Sequence, residues 1–385
     1  MPRKTVPNLH SNHSTLNAIG NIAFIYCAVS CANVNALLRD QKIPTGRAST
    51  EQRTGIIMKG FFSALLLAST FFAAPAMASA IITNGTIGLG VDDEGQLNIG
   101  STNSSAGGTT NYGLRDIGTN WEATAQGCLC EGWGAAVAGT GTTVYANNAS
   151  GTSATLVSFA STASTATSIV TSVGGAALTV SHVYAPSASA LLYQVEVTIT
   201  NTSGADFTGA TLYRRVMDWD IEPTPFNEYS TIQGSAGAAN VLFTSNNGFA
   251  NSNPFSDGSG SIAGDFVDFG PTDHGALFDF SFGALKAGES QKLTVFYGAA
   301  PTEASALAAL GLVGAEVYSF GQSSRDRLGG TDGLRTFIFG FKGVGGTVVP
   351  GAVPEASTWM MMIAGFGIAG MSLRGRRRKQ IAPFA

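Results

Sequence analysis

Residues 191–200 alternate without a break. Leu192, Gln194, Glu196, Thr198 and Thr200 fall on one side of an extended segment, and Tyr193, Val195, Val197 and Ile199 on the other. A period of two is the mark of a strand with one face in a core and the other near water. Asn201-Thr202-Ser203-Gly204-Ala205 then turns the chain, and 211–221 reads as the return strand. Further candidate strands lie at 81–91, which is apolar with interspersed Gly, and at 144–146, 154–159, 168–173, 177–184, 240–244, 265–269, 277–282, 292–297 and 336–341, and Asp92-Asp93-Glu94-Gly95 reads as a turn. Only 302–310 reads as a helix, with Thr302 as N-cap and Gly311 near its end. Short strands separated by turn residues predict an all-β fold, an antiparallel β-sandwich body over 81–342.

The two ends are of a different kind. Met58-Lys59, the apolar run 61–74 and the small residues Ala76, Ala78 and Ala80 compose a secretory signal over 58–80. Such signals begin at the initiator methionine, so Met58 is expected to start the protein, with 1–57 an over-extended gene start and disordered. Cys27 and Cys31 lie in that stretch with no His or Asp beside them. At the other end a Gly-rich linker, 343–353, precedes Val353-Pro354-Glu355, Trp359 and an uncharged run to Leu373. Arg374, Arg376, Arg377, Arg378 and Lys379 close it as a basic stop. The run is shorter than the roughly 20 residues that span a hydrocarbon core, a gap that snorkelling arginines could close. With Trp359 at one interface and the cations on the cytoplasmic side, it reads as a short C-terminal transmembrane helix.

The order Val-Pro-Glu-x-x-x-Trp, Met-Met-Ile-Ala-Gly-Phe-Gly, basic end resembles the PEP-CTERM sorting signal in its Pro-Glu-Pro-x-x-Trp-Ala variant. Ala356 stands where the second proline is usual and Met360 where alanine is usual. The resemblance, over 354–379, implies processing in Gram-negative bacteria by an exosortase, a membrane-embedded cysteine protease. It implies export, with the inner membrane as a transient station and the cell surface or extracellular matrix as destination. The runs Tyr-Arg-Arg-Val-Met-Asp-Trp-Asp-Ile-Glu-Pro, Asp-His-Gly-Ala-Leu-Phe-Asp-Phe and Gly-Ala-Glu-Val-Tyr-Ser also resemble a body that recurs in exported proteins with this tail. That resemblance implies a shared fold and compartment and adds no chemistry.

Charge narrows the partners. Three of the 25 acidic residues (Asp40, Glu51, Glu355) and twelve of the 21 basic ones lie outside 79–353. The body therefore carries 22 acidic and nine scattered basic residues, a net charge near −13. Nucleic acid is excluded as a partner, because phosphate binding needs clustered Lys and Arg. Exosortase and the secretion machinery are the expected partners, with exopolysaccharide open.

Four features could carry chemistry. Asp218, Asp220 and Glu222 share one face if the strand runs on, with Trp219 and Ile221 on the other. Three carboxylates this close need an arginine, solvent or a cation between them. Arg214 and Arg215 could supply a network, Ca²⁺ could be bound, or two of the carboxylates could act as a catalytic pair. A glycosidase wants its carboxylates flanking the sugar, not on one wall. Cys128-Leu129-Cys130 suggests a local disulfide in an oxidising compartment. His182 and His274 are the only histidines after residue 58, and Asp273-His274 reads either as a turn or as an orienting pair. No Gly-x-Ser-x-Gly elbow, Walker loop or His-Glu-x-x-His occurs. The residues thus favour a non-enzymatic exported structural or surface protein without an obligate cofactor. A glycan- or Ca²⁺-binding module is the alternative, and a secreted glycan hydrolase is the weaker one.

If Met58 initiates translation, mass spectrometry of the producing cells should find no peptide from residues 5–50, and the mature N-terminus should lie at Ser79 or Ile81. One confidently mapped upstream peptide would overturn this.

Overall fold

The computed structural model describes residues 79–174, 177–327, 335–350 and 356–378. The segments 1–57 and 58–78, Val353, Pro354, Glu355 and Lys379 lie outside the described residues.

Among the described residues, twenty strands build four antiparallel sheets. The first half of the body supplies β1 (Ser79–Thr83), β2 (Ile87–Asp92), β3 (Ile99–Gly100), β4 (Asn111–Tyr112), β5 (Leu114–Asp116), β6 (Trp121–Glu122), β7 (Gly132–Val137), β8 (Thr143–Asn147), β9 (Ala154–Ser161) and β10 (Ala166–Ser172). The second supplies β11 (Leu178–Pro186), β12 (Leu192–Asn201), β13 (Thr211–Trp219), β14 (Glu228–Gln233), β15 (Val241–Ser245), β16 (Phe266–Thr272), β17 (His274–Phe282), β18 (Ser290–Ala300), β19 (Val317–Ser323) and β20 (Thr336–Lys342). The helices are α1 (Glu303–Val313) and α2 (Ala356–Arg378), with one helical turn at Ser324–Arg327. A nine-stranded sheet runs β16-β14-β19-β20-β18-β12-β11-β10-β9, and a five-stranded sheet runs β15-β17-β13-β7-β8. A smaller sheet, β1-β2-β5-β6, joins the same core, to which it adds Ile82, Ile87, Leu89 and Leu114. The all-β expectation is met.

Alternation along β12 places Tyr193, Val195, Val197 and Ile199 in the core between the two large sheets. Opposite them, Phe278 of the five-stranded sheet meets Phe339 and Phe341 of the nine-stranded one at ring separations of 5.5 and 4.7 Å. Leu192 points the other way and is buried under α1, together with Phe296, Phe320, Ile338 and the helix's Ala306 and Leu310. That helix starts where Thr302 caps it, with the Thr302 Oγ1 accepting from the Ser305 N–H at 3.1 Å. It ends on Gly314 in the left-handed conformation, φ 72°.

The segment 81–91, expected as one strand, is two: the chain turns at 84–86, where the Asn84 side chain accepts from the N–H groups of Thr86 and Ile87. The Gly-rich β7 carries no visible period because glycine is structurally required there. A Cβ on Gly134 would run into the carbonyl of Ser252, since the 246–262 loop lies flat on this outer face of the sheet.

Between the two large sheets sits a buried ionic network. Arg215 donates from Nε to Glu131 Oε1 at 2.6 Å, and both side chains are fully buried. Glu131 also accepts from Tyr297 OH at 2.7 Å and from the Leu97 N–H at 2.6 Å. Arg215 donates further to Tyr184 OH at 3.2 Å, to Tyr213 OH at 3.3 Å and to the Gly95 carbonyl at 3.4 Å. Burial disfavours the guanidinium charge, but Glu131 and the surrounding tyrosines outweigh it and hold Arg215 charged, while burial pushes Tyr184 and Tyr297 up.

The Gly-rich stretch from 343, expected as a free linker, is fastened to the body through Val349. Glu316 accepts from the N–H groups of Gly343, Val344 and Gly346 at 3.0, 2.8 and 3.0 Å. Val344 is buried in the core, and the Val349 N–H donates to the Ala315 carbonyl at 2.8 Å.

Removing one member of a buried pair strands the other. Arg215→Ala should therefore lower the unfolding free energy by about 3–5 kcal/mol in urea titrations. A loss below about 1 kcal/mol, the scale of an exposed pair, would mean that the network does not bind the sheets together.

Candidate functional site

The outer face of the five-stranded sheet leads to a second concentration of charge. Even-numbered residues of β13 point outward under the 246–262 loop. Arg214 is held there by a two-pronged pair with Asp279, its cross-strand neighbour on β17, at 2.7 and 2.8 Å. It also donates to the carbonyls of Asn251 and Ser256 at 2.8 and 3.0 Å. Val216 packs with Ala250 and Leu277. Asp218 follows at the end of the strand, so close to Gly248 that a Cβ there would meet its carboxylate.

Ladder pairing stops at Trp219, which faces inward and donates from Nε1 to Ser319 Oγ at 3.2 Å. Asp220 has left the strand: its N–H donates to the Ala123 carbonyl at 2.8 Å, and its Oδ2 accepts from the Gly127 N–H at 3.0 Å. Asp218 and Asp220 nonetheless stay together, and Asp273 joins them from the β16–β17 turn. One carboxylate oxygen from each of the three lies within 4.8 Å of the others. The register explains this, because Asp218 pairs with Gly275 and Trp219 with His274, so Asp220 and Asp273 continue the ladder one step past its end.

Glu222, grouped with Asp218 and Asp220 by strand spacing, is not in this cluster. The spacing holds only while the strand continues, and it ends three residues earlier. Glu222 Oε1 accepts from Ser105 Oγ and Gln126 Nε2, and its Oε2 from the Glu122 N–H at 3.2 Å. Its place beside the aspartates is taken by Glu228 of β14, which sequence spacing did not single out. Glu228 Oε1 accepts from the His274 N–H at 3.2 Å, while its Oε2 is buried without a partner. Asp218 Oδ1 and Asp220 Oδ1 are also buried and unpartnered.

Neither arginine expected to neutralise these carboxylates does so, since Arg214 is paired with Asp279 and Arg215 with Glu131. No ion pair among the described residues involves Asp218, Asp220, Glu228 or Asp273. His274 is no cation either. Its Nε2 donates to the Glu228 carbonyl at 3.0 Å, its Nδ1 lies 3.4 Å from Asn246 Nδ2, and burial holds its pKa down. His182 is fully buried against Trp133, with ring centroids 4.5 Å apart.

Cys128 and Cys130 form a disulfide, with Cα atoms 5.1 Å apart. Cys128 Sγ lies 3.3 Å from Asp218 Oδ2, but a disulfide sulfur has no proton to donate, so this contact does not satisfy the carboxylate. Burial first, then Asp220 and Asp273, push Asp218 up to about 9. Burial pushes Glu228 to about 9 and Asp220 to about 6.

In the C-terminal helix α2, Met361, Ile363, Phe366 and Met371 are exposed, as is Arg374. Arg376, Arg377 and Arg378 lie in its last turn. No helix among the described residues is long and apolar enough to cross a membrane.

Residues 352–378 match the PEP-CTERM protein-sorting motif. The chain thus carries a PEP-CTERM sorting signal at these residues, which supports export with sorting through the exosortase machinery. No curated protein matches the chain. Among solved structures, a candidate aldose 1-epimerase from Escherichia coli K12 is 9% identical, covering 71% of this chain and 94% of its own, at a TM-score of 0.25. A galactose mutarotase related enzyme from Lactobacillus acidophilus is 9% identical, covering 69% and 86%, at a TM-score of 0.28.

The carboxyl pKa values set a pH dependence whose sign can be worked out. His182 and His274 are held neutral by burial in the folded state, and unfolded histidines shed most of their protons just above pH 7, so histidines add little slope over most of this range. Asp218 and Glu228 keep protons in the folded state that the unfolded chain releases near 4, so the folded state binds more protons until about pH 9. Without divalent ions, stability should fall from pH 7 to 9 by up to about 1.4 kcal/mol per pH unit for each group. Thermal melts of the wild type and Asp218→Asn would read this, the variant giving a shallower slope. A flat or rising wild-type profile would refute it.

Proposed function

We propose that this protein is a non-enzymatic structural component of the cell surface or extracellular matrix, delivered through its C-terminal signal and released from it by proteolysis next to Pro354-Glu355. One observation carries the reading. A sorting motif with an apolar helix and a basic end stands a few residues beyond the point where the body is closed off, at Val349. Among the described residues, none beyond Val349 belongs to the body's core, so a folded sandwich leaves and the tail stays behind.

The helix is short for a bilayer. Its arginines can reach headgroups past the apolar run, which supports a transient stay in the inner membrane before processing. A structural role rather than a catalytic one is favoured by the disposition of the acidic groups. Asp218, Asp220 and Asp273 gather at the end of the one β13–β17 ladder, whereas glycoside hydrolysis needs two carboxyls on opposite sides of the sugar. His182 lies in the core and both ring nitrogens of His274 are engaged, which suits neither for general base work.

Intact-mass analysis of the exported protein tests the reading. The mature form should end near Pro354-Glu355 and lack Arg374 and the cations after it. Glu355→Ala should accumulate a larger, membrane-associated form. If most native copies retain the tail, the stretch is a plain anchor and release does not occur.

A further inference from the structure

We propose that Asp218, Asp220 and Asp273 bind a divalent cation, with calcium as the ion of choice and Glu228 as a fourth carboxylate beside it. This goes beyond the delivery role and stands independently of it.

Spacing is the first ground. One oxygen from each aspartate lies within 4.8 Å of the other two. Oxygens held at 2.3–2.6 Å from a common Ca²⁺ are separated by at most about 5 Å, so one ion fits among all three. Glu228 provides a second and independent ground. It comes from a different sheet, has 0% exposure, and its Oε2 has no hydrogen-bond partner. Its electrostatic neighbours are the three aspartates. Asp218 Oδ1 and Asp220 Oδ1, at 1% and 0% exposure, lack partners as well. Buried polar atoms in folded proteins are hydrogen-bonded with few exceptions, and here two unsatisfied oxygens belong to the aspartate cluster and a third to the carboxylate that feels its charge. Like charges brought together away from water must take up either protons or a compensating cation. The chain's own candidates are committed elsewhere, Arg214 to Asp279 and Arg215 to Glu131.

The donor set selects the ion. Cys128 and Cys130 are joined to each other, so no thiolate is offered, and His274 has both ring nitrogens engaged. An all-carboxylate set suits a hard cation and not zinc. Asp273 is exposed, which leaves a way in and room for water to complete a shell of six to eight oxygens. Magnesium demands a tighter octahedron and gives up its own water reluctantly.

The full chain, treated with EDTA and exchanged into metal-free buffer, is titrated at about pH 7.5 with CaCl₂ to ~10 mM, following heat of binding and melting temperature together. One saturable calcium per chain is expected, with a melting temperature that rises with its concentration and a weaker response to MgCl₂. Asp218→Asn with Asp220→Asn should abolish both signals while folding normally, because the amides remove repulsion without changing shape. Glu228→Gln should weaken binding by about 10–100-fold, and Glu196→Gln, at an exposed pair with Lys292, should leave it unchanged. Should the double variant fail to fold, Asp273→Asn carries the test, with calcium binding at least ~10-fold weaker expected. Absence of saturable binding, or equal binding in these variants, overturns the site. Zinc that displaces calcium overturns the choice of ion.

Discussion

A buried guanidinium between two sheets is the constraint around which the body is arranged. Arg215 reaches from β13 to Glu131, and Tyr297 of the facing sheet shares that carboxylate. Tyr184, Tyr213 and the Gly95 carbonyl take the remaining donors, while the Leu97 N–H ties in the chain that leaves the smaller sheet. Desolvating two charges gains little over an apolar core of the same volume. What the arrangement adds is selectivity. A one-residue slip of β13 would turn Arg215 outward and leave Glu131 buried alone, so the register of the five-stranded sheet is tied to its packing against the nine-stranded one.

The same strand distributes charge in two directions. Its inward arginine serves the core, its outward one serves Asp279 and the overlying loop, and nothing positive remains for the aspartates at its end. Charge balance in this body is therefore resolved locally and unevenly. Part of the excess of acid readable from composition gathers where two strands run past their last shared hydrogen bonds.

Much of the fold was legible. β12 alternates because one face meets the facing sheet, and α1 starts at Thr302 because a capping side chain is there. The candidate site was legible only in part. Spacing along β13 put Asp218 and Asp220 together correctly, yet it added Glu222, because nothing local marks the end of a strand that stops at Trp219. Asp273 and Glu228 reach the site by pairing across strands, at sequence distances that periodicity does not see. The Arg-Arg pair beside the acidic run invited a local network. The arginines instead bind Glu131 and Asp279, which are remote in sequence and adjacent in space. β7 was missed because its glycines make room for a loop, and that leaves no apolar period to read.

The clasp of Glu316 on Gly343, Val344 and Gly346 has a mechanical consequence. From Val349 to the first residue of α2, Ala356, the covalent path is seven residues, which cannot exceed about 25 Å even when pulled straight. Whatever grips the tail therefore keeps the sandwich on a tether shorter than a typical domain is wide. A pull on that tether enters the body at Ala315 and Glu316, at the start of β19, an interior strand of the largest sheet held on both sides, so the force loads two ladders at once and does not peel an edge strand away.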